Sequence, residues 1–345
     1  LSRPYNLHHE RSLIDFEAEC LGLSDKQLVD FAEAELPQQS SDQFVSFLKA
    51  NPAIWNVAHV PVTANILCTL WKDHDDEQPW QDIQASLCQL YTLMSLYVWE
   101  RYVKKNELIN IDREEVFLAL GCIAFNALQR GQILINQVLI QQHSNRPRLG
   151  IDLKKSGLLL LRKAGAHYQF PHLTFQEFFA GKHLATVLCK ESGEEREYVE
   201  SFISKNKYKA EYAVMMRFMA EEVKRIDRIK GIDMLMTMVD RAPTEVAGLQ
   251  HLLLRLNLLN AALSIQLDET EIQKLHNSRG YQVLQMVDLT IAVGEGRDNR
   301  IVKMAFTYTP LLIRIVPNEA MKLVFQLIKA LRDGNGKIVA KDPLS

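Results

Sequence analysis

The sequence has almost no net charge and no long apolar run. Its 345 residues carry 40 Lys and Arg against 42 Asp and Glu, a formal charge of -2. Without a basic excess, no electrostatic field draws the chain to nucleic acid or anionic lipid. Leucine-rich runs such as HLLLRLNLLNAAL are too short and too interrupted to cross a bilayer. Neither a membrane nor a nucleic acid is therefore expected as a partner.

Cysteine is scarce and motifs for metal are missing. The five cysteines are widely spaced, without a C-x-x-C, and they fall in apolar helical patterns where free cysteine is usually buried. The ten histidines form neither H-E-x-x-H nor a paired His/Cys cluster. These absences predict no metal site and favour a reduced, cytoplasmic setting.

The sequence also contains no phosphate-binding loop. No G-x-x-x-x-G-K-[ST] occurs, because Gly181-Lys182 and Gly336-Lys337 lack the upstream glycine and the following hydroxyl. Serine and cysteine nucleophiles have no recognisable local signature either. We therefore predict no catalytic residue and no hydrolysis of ATP by this chain alone.

Helix signals, in contrast, are dense, and 47% of the residues are hydrophobic. Between residue 24 and about residue 103 they predict a cluster of three or four helices. Capping boxes, in which side chains satisfy the first free amides of a helix, are predicted at several starts. These are Ser24-x-x-Gln27, Ser40-x-x-Gln43 and Asp112-x-x-Glu115, while Pro61 is suited to a first helical position.

The middle of the chain has a different pattern. Helices predicted between residues 112 and 164 are followed by GAHYQF, an alternating aromatic run typical of a strand or small hairpin. Helices followed by a small β wing indicate a winged-helix unit. After Glu191 the pattern is helical again, as in an α-solenoid. The predicted fold class is mainly α: a helical bundle, a winged-helix domain with a small β wing, and an α-solenoid-like helical region.

The stretch YQFPHLTFQEFFAGKHLATVL, residues 168–188, contains the main candidate site residue. Thr174-x-x-Glu177 predicts a capping box, which leaves His172 just outside the start of a helix. Free amides and the positive end of the helix dipole favour anions at such a place. Two interpretations follow: His172 contacts an anionic ligand, or it only joins wing and helix through a backbone hydrogen bond.

The order of the pieces resembles the NACHT family of signal-transducing P-loop NTPases, the STAND class. SRP at the start, NPAIWNVAHVPVTANILCTLW, LGCIAFNALQRGQILI and YQFPHLTFQEFFAGKHLA are similar to successive family segments, and the likeness extends over residues 1–222. The resemblance implies four regions. They are a remnant of the nucleotide-binding domain (1–23), a first helical domain (24–105), a winged-helix domain (106–190) and a second helical domain with HEAT-like repeats (191–345).

The resemblance also implies three nucleotide-binding residues. Arg3 would sense the γ-phosphate, Pro61 would pack near the adenine, and His172 would contact the β-phosphate of ADP in the resting state. The phosphate loop and the magnesium-binding strand would lie upstream, so the chain is expected to be a piece of a longer parent chain. ADP or ATP, with magnesium, would bind that parent and not bind tightly to this chain alone. Gly181 stands where the family usually has alanine, and it is expected to loosen its helix.

The predicted function is the regulatory portion of a nucleotide-gated signalling switch. Its partners would be the upstream nucleotide-binding domain, a protein or ligand on the C-terminal helices, and further copies of the chain on activation. The setting would be an innate-immunity-like sensor, or a secreted bacterial effector acting in a host cytosol.

Two alternatives stay open. An α-helical solenoid scaffold for protein–protein interaction would have no nucleotide role, and His172 would be replaceable. A winged-helix nucleic-acid binder would need a basic recognition helix. The helix predicted from Asp152 carries Lys154, Lys155, Arg162 and Lys163 as its basic residues.

Overall fold

The computed structural model describes residues 22–73, 86–105, 112–144, 149, 153–163, 167–227, 230–244 and 249–262. The chain divides between Pro243 and Thr244 into two compact units. Most of the predicted solenoid-like region, residues 263–345, lies outside the described residues.

Helices make up most of the described chain. The first five are α1 (Asp25–Glu35), α2 (Gln38–Ala50), α3 (Pro52–Ala58), α4 (Pro61–Asp73) and α5 (Leu87–Lys105). They are followed by α6 (Arg113–Gln129), α7 (Gln137–Gln142), α8 (Leu173–Leu188), α9 (Glu194–Asn206), α10 (Ala213–Ile226) and α11 (Gly231–Val239). The second unit is described through α12 (Leu249–Ala262). The predicted mainly α fold is thereby confirmed.

A small antiparallel sheet lies between α6 and α8 in the chain. Its strands are β1 (Ile135–Asn136), β2 (Leu160–Lys163) and β3 (His167–Gln169), in the spatial order β1-β3-β2. The hairpin β2–β3 confirms the predicted wing, with Tyr168 of β3 opposite both Ile135 and Leu161. Strand β1 was not predicted because two residues are too few to show an alternating pattern.

The helix expected from Asp152 to about residue 164 is shorter than predicted. Residues 153–155 are helical, whereas residues 160–163 form β2. Pairing with β3 satisfies the backbone of this segment, and such a long-range partner overrides local helical preference. Arg162 and Lys163 therefore belong to a strand and not to a recognition helix.

Helix α8 lies at the centre of the first unit. It packs most extensively against α6 and α10, and it also contacts α5 and α9. Phe175, Phe178 and Phe179 on α8 are at most 1% exposed. Full burial of one such side chain stabilises a fold by roughly 1.5–3 kcal/mol. A helix that is apolar on nearly all sides must be surrounded by other elements. The four helices that contact α8 surround it in this way.

Gly181 sets the distance between α8 and α10. A Cβ at this position would lie 2.7 Å from Phe218 Cβ, 2.8 Å from the Met215 carbonyl oxygen and 2.9 Å from the Met219 nitrogen. These distances are too short for a side chain, so glycine permits the close approach of the two helices. The expected loosening of the helix at Gly181 stays a prediction.

A buried glutamate of α10 caps the start of α5. Glu221 is 1% exposed, and its Oε2 accepts hydrogen bonds from the Cys88 amide at 2.9 Å and the Ser86 hydroxyl at 3.0 Å. The first amides of a helix have no partner within the helix. Glu221 supplies a hydrogen-bond acceptor for one of these amides although it lies 133 residues further along the chain. It thereby connects α10 to the first group of helices.

Candidate functional site

His172 is the N-cap residue of α8. Its backbone is extended (φ -146°, ψ 158°), and its Nδ1 accepts a hydrogen bond from the Thr174 amide at 3.3 Å. The predicted capping box at Thr174 and Glu177 is therefore wrong, since α8 begins at Leu173, one residue before Thr174. The half-buried imidazole caps the helix because it reaches an amide two residues ahead.

A chain of hydrogen bonds connects His172 to the first group of helices. The Thr174 hydroxyl oxygen lies 2.9 Å from His172 Nδ1, and it accepts a hydrogen bond from the Tyr91 hydroxyl at 2.6 Å. Tyr91 belongs to α5 and is 1% exposed. Burial raises the pKa of Tyr91 to about 12. The phenol therefore keeps its proton at neutral pH.

The start of α4 approaches the same tyrosine. Pro61 is exposed and is the first residue of α4, which confirms the helix start predicted there. Thr63, two residues further on, is fully buried and lies near enough to Tyr91 to lower the pKa of that phenol. Among the described residues its hydroxyl has no hydrogen bond of standard geometry. The helices that begin near Pro61 and near His172 thus converge on the Tyr91 hydroxyl.

The segment before α1 is fixed against the turn that precedes Pro61. The Leu23 amide donates to the His59 carbonyl oxygen at 2.7 Å, and His59 Nε2 lies 2.8 Å from Asp25 Oδ1. Gly22 has φ +80°, and a Cβ there would lie 2.5 Å from the His59 carbonyl oxygen. Arg3, the third predicted nucleotide-binding residue, lies outside the described residues.

A thiol, an imidazole and a carboxylate stand in a row elsewhere in the fold. Cys122 Sγ lies 3.5 Å from His183 Nδ1, and His183 Nε2 lies 3.9 Å from Glu195 Oε1. Burial raises the pKa of Cys122, and burial also lowers the pKa of His183 to about 4. A nucleophilic cysteine needs a depressed pKa. The electrostatics of this row therefore oppose thiolate formation.

The four basic residues predicted on one helix from Asp152 belong to different backbone elements. Lys154 Nζ lies 5.7 Å from the centre of the Tyr168 ring in the wing, so this cation is directed onto β3. Lys155 is exposed, and Arg162 and Lys163 belong to β2. A helix inserted into a DNA groove requires its cations on one helical face. The described backbone separates these cations between a helix and a strand.

Other features of the described chain narrow the kinds of site that it offers. Over the described residues, no three His, Cys, Asp or Glu side chains stand close enough to hold a metal ion. In that same part of the chain, no helix is both long and apolar enough to cross a membrane. Cys68, Cys88, Cys122 and Cys189 are all free thiols.

Comparison with known proteins adds no identity. No protein-family model matches the chain, and no curated protein matches it. The resemblance to the NACHT family remains a prediction based on the quoted segments.

Sequence reasoning missed Tyr91 as a partner of the site. Tyr91 and Thr174 are 83 residues apart, and no local pattern connects them. The signal that was present is a tyrosine in an apolar helical run, since a buried tyrosine hydroxyl usually finds a hydrogen-bond partner.

Proposed function

We propose that this chain is the regulatory portion of an ADP/ATP-gated signalling switch of the NACHT type. In this proposal His172 contacts the β-phosphate of bound ADP in the resting state. The observation that supports it best is the position of the imidazole at the N-cap of α8, half-buried and hydrogen-bonded through Thr174 to Tyr91. Helix starts favour anions because free amides and the helix dipole both attract negative charge.

The proposed mechanism is a change in which groups hold the nucleotide. ADP bound between an upstream phosphate loop and His172 would tie the winged-helix region to the nucleotide-binding domain. Exchange for ATP would remove that contact and allow the regions to rotate and assemble. The contacts of α8 with α5, α6 and α10 support this role, because a force on His172 would be transmitted to all three helices.

The remaining assignments belong to the same proposal. Pro61 would pack near the adenine and Arg3 would sense the γ-phosphate, with magnesium held by the upstream domain. A protein or ligand would bind the C-terminal helices, the active form would assemble as a homo-oligomer, and the protein would act in the cytoplasm.

The test measures nucleotide bound to the longer parent chain that includes the upstream domain. Wild type, His172→Ala and His172→Asn are purified and heat-denatured, and released ADP and ATP are quantified by chromatography. Asparagine keeps an N-cap acceptor but removes the imidazole, so it separates helix capping from nucleotide contact. His167→Ala in β3 is the matched control, because it removes a half-buried histidine of the wing.

Near-stoichiometric ADP in wild type and in the control is expected. Loss of one hydrogen bond to a charged group should weaken retention in both His172 variants by about 10- to 100-fold. Equal nucleotide content in all four proteins, or none in any, would contradict the proposal. His172 would then be a structural N-cap, and the solenoid scaffold would be the better account.

A further inference from the structure

We propose that His59 and Asp25 form a proton-dependent latch, which fixes the segment before α1 to the turn that precedes Pro61. The latch is closed when His59 is an imidazolium, and it opens when the ring loses one proton. All of its groups belong to the described part of the first unit, and none of them needs a bound nucleotide.

Both ring nitrogens of His59 face oxygen atoms that accept hydrogen bonds. Nδ1 lies 2.8 Å from the Trp55 carbonyl oxygen, and Nε2 lies 2.8 Å from Asp25 Oδ1. A carbonyl oxygen can only accept, and so can an ionised carboxylate. Both hydrogen bonds therefore form together only when each nitrogen carries a proton, which is the imidazolium form.

The proton on Nε2 decides whether the latch holds. The Trp55 carbonyl oxygen favours a proton on Nδ1 in both charge states, because it would repel a lone pair there. A neutral ring then presents its Nε2 lone pair to the Asp25 carboxylate, so the side-chain contact between α1 and the turn is lost. The contact is thus made at low pH and lost as the pH rises and the ring is deprotonated.

The two charges lie at helix ends that favour them. His59 is the C-cap of α3, where carbonyl groups form the negative end of the helix dipole. Asp25 is the first residue of α1, at the positive end of that helix. Each helix end therefore stabilises the charged form of the residue that it carries.

Other charged groups near the latch do not supply the pH dependence. Lys49 of α2 has its Nζ 5.9 Å from the centre of the Trp55 ring, which itself lies 5.2 Å from the centre of the His59 ring. Lys26 of α1 is exposed, and the first charged residue of α4 is Lys72, in its last turn. Carboxylates and ammonium groups ordinarily keep their charges between about pH 5 and 8, whereas histidine changes its charge there.

The backbone of His59 holds the same segment and reports the state of the latch. Its carbonyl oxygen accepts from the Leu23 amide at 2.7 Å, and the missing Cβ of Gly22 leaves room for this approach. Leu23 is two residues from Asp25, so opening of the side-chain contact should expose the Leu23 amide more often. Exchange of this amide with solvent therefore measures how firmly the segment is fixed.

The first experiment follows the His59 ring by long-range proton–nitrogen NMR of the 345-residue chain with ¹⁵N-labelled histidine, from about pH 5 to 8.5. The His59 signals are assigned by their loss in His59→Gln. We expect both nitrogens to be protonated at the acidic end and only Nδ1 at the basic end. A neutral ring with its proton on Nε2 would overturn the proposal.

The second experiment measures protection of the Leu23 amide, its exchange rate relative to an unstructured peptide at the same pH, by solvent-saturation NMR. Wild type should lose protection by about 2- to 5-fold as the pH rises across this range, the strength of an exposed ion pair. A small effect is expected because the Asp25 side chain is 78% exposed. Protection that does not fall with rising pH would contradict the latch.

Asp25→Asn separates the proton from the shape of the contact. Its amide can accept from a protonated Nε2 or donate to an unprotonated one, so Leu23 protection should no longer depend on pH. Asp30→Asn is the matched control, because it removes the same charge from an exposed position of α1 and should keep the wild-type pH dependence. The same pH dependence in Asp25→Asn as in wild type would overturn the proposal.

Discussion

At the scale of single residues, the pKa values of two adjacent glutamates of α10 are shifted in opposite directions. Burial raises the pKa of Glu221, and the hydrogen bond from the Cys88 amide offsets this only in part. Burial also opposes ionisation of Glu222, but hydrogen bonds from Arg225 and the charge of Lys182 outweigh it and lower the pKa of that carboxyl. Both side chains are 1% exposed, so the difference comes from their partners.

The same substitution should therefore have different effects at the two positions. Glu221→Gln is expected to change the free energy of unfolding at pH 7 by less than about 1 kcal/mol, because a neutral amide oxygen still accepts from Cys88. Glu222→Gln should cost about 1–3 kcal/mol, because Arg225, whose two nitrogens each lie 2.7 Å from a Glu222 oxygen, loses an ionised partner. Urea unfolding followed by circular dichroism measures both. Equal losses, or the larger loss at Glu221, would contradict the assignment.

The residues of the candidate site differ in whether a local sequence pattern reveals them. His172 and Pro61 stand beside helix starts that the sequence predicts, because proline and an aromatic run leave local patterns. The role of His172 as the cap itself could not be predicted, since Thr174 is the commoner capping residue. The role of Tyr91 could not be predicted from the sequence, because its contact with Thr174 depends on how α5 and α8 pack.

At the scale of elements, Gly181 lies where α8 and α10 approach each other closely. Gly181→Ala should lower the free energy of unfolding by about 1–2 kcal/mol. Overpacking costs roughly 1–3 kcal/mol, and a methyl group 2.8–2.9 Å from backbone atoms lies in the upper part of that range. The better helix propensity of alanine returns about 1 kcal/mol. Thermal or urea unfolding of the purified chain measures the change.

Gly121 of α6 is the matched control. A Cβ there would lie 3.0 Å from His183 Cβ and 3.2 Å from the Phe179 carbonyl oxygen, a looser fit than at Gly181. Gly121→Ala is expected to stay within about 1 kcal/mol of wild type, because helix propensity offsets the mild crowding. A variant Gly181→Ala as stable as Gly121→Ala would show that α8 and α10 can separate at little cost.

Helix starts were predicted well where the capping groups are local. Ser24 and Gln27 form the predicted capping box, and Asp112 caps α6. Ser40 was predicted wrongly: α2 begins earlier, after Pro37, and the Ser40 hydroxyl accepts from the Trp71 indole at 3.1 Å instead. The Ser40 side chain, which the local pattern assigns to a helix cap, is instead bonded to a residue of another helix.

At the scale of the whole molecule, described helices from three predicted regions pack together within the first unit. Helix α8, from the predicted winged-helix domain, packs against α5 of the first helical region and α10 of the second. Glu221 adds a hydrogen-bonded link between α10 and the start of α5. Helical regions joined by extensive burial and a buried polar link unfold together when no region can open without exposing the others.

Native-state hydrogen exchange measured by mass spectrometry tests this coupling. The slowest amides of α4, α6 and α10 should report one common free energy of opening, with the same dependence on urea. Gly181→Ala, which touches α10 and not α4, should lower all three values by the same 1–2 kcal/mol expected from its packing cost. Peptides after Thr244 belong to the second unit and are evaluated separately. A lower free energy of opening in α10, with the slowest amides of α4 unchanged, would mean that the helical regions open separately. A change at His172 would then not be transmitted to α4.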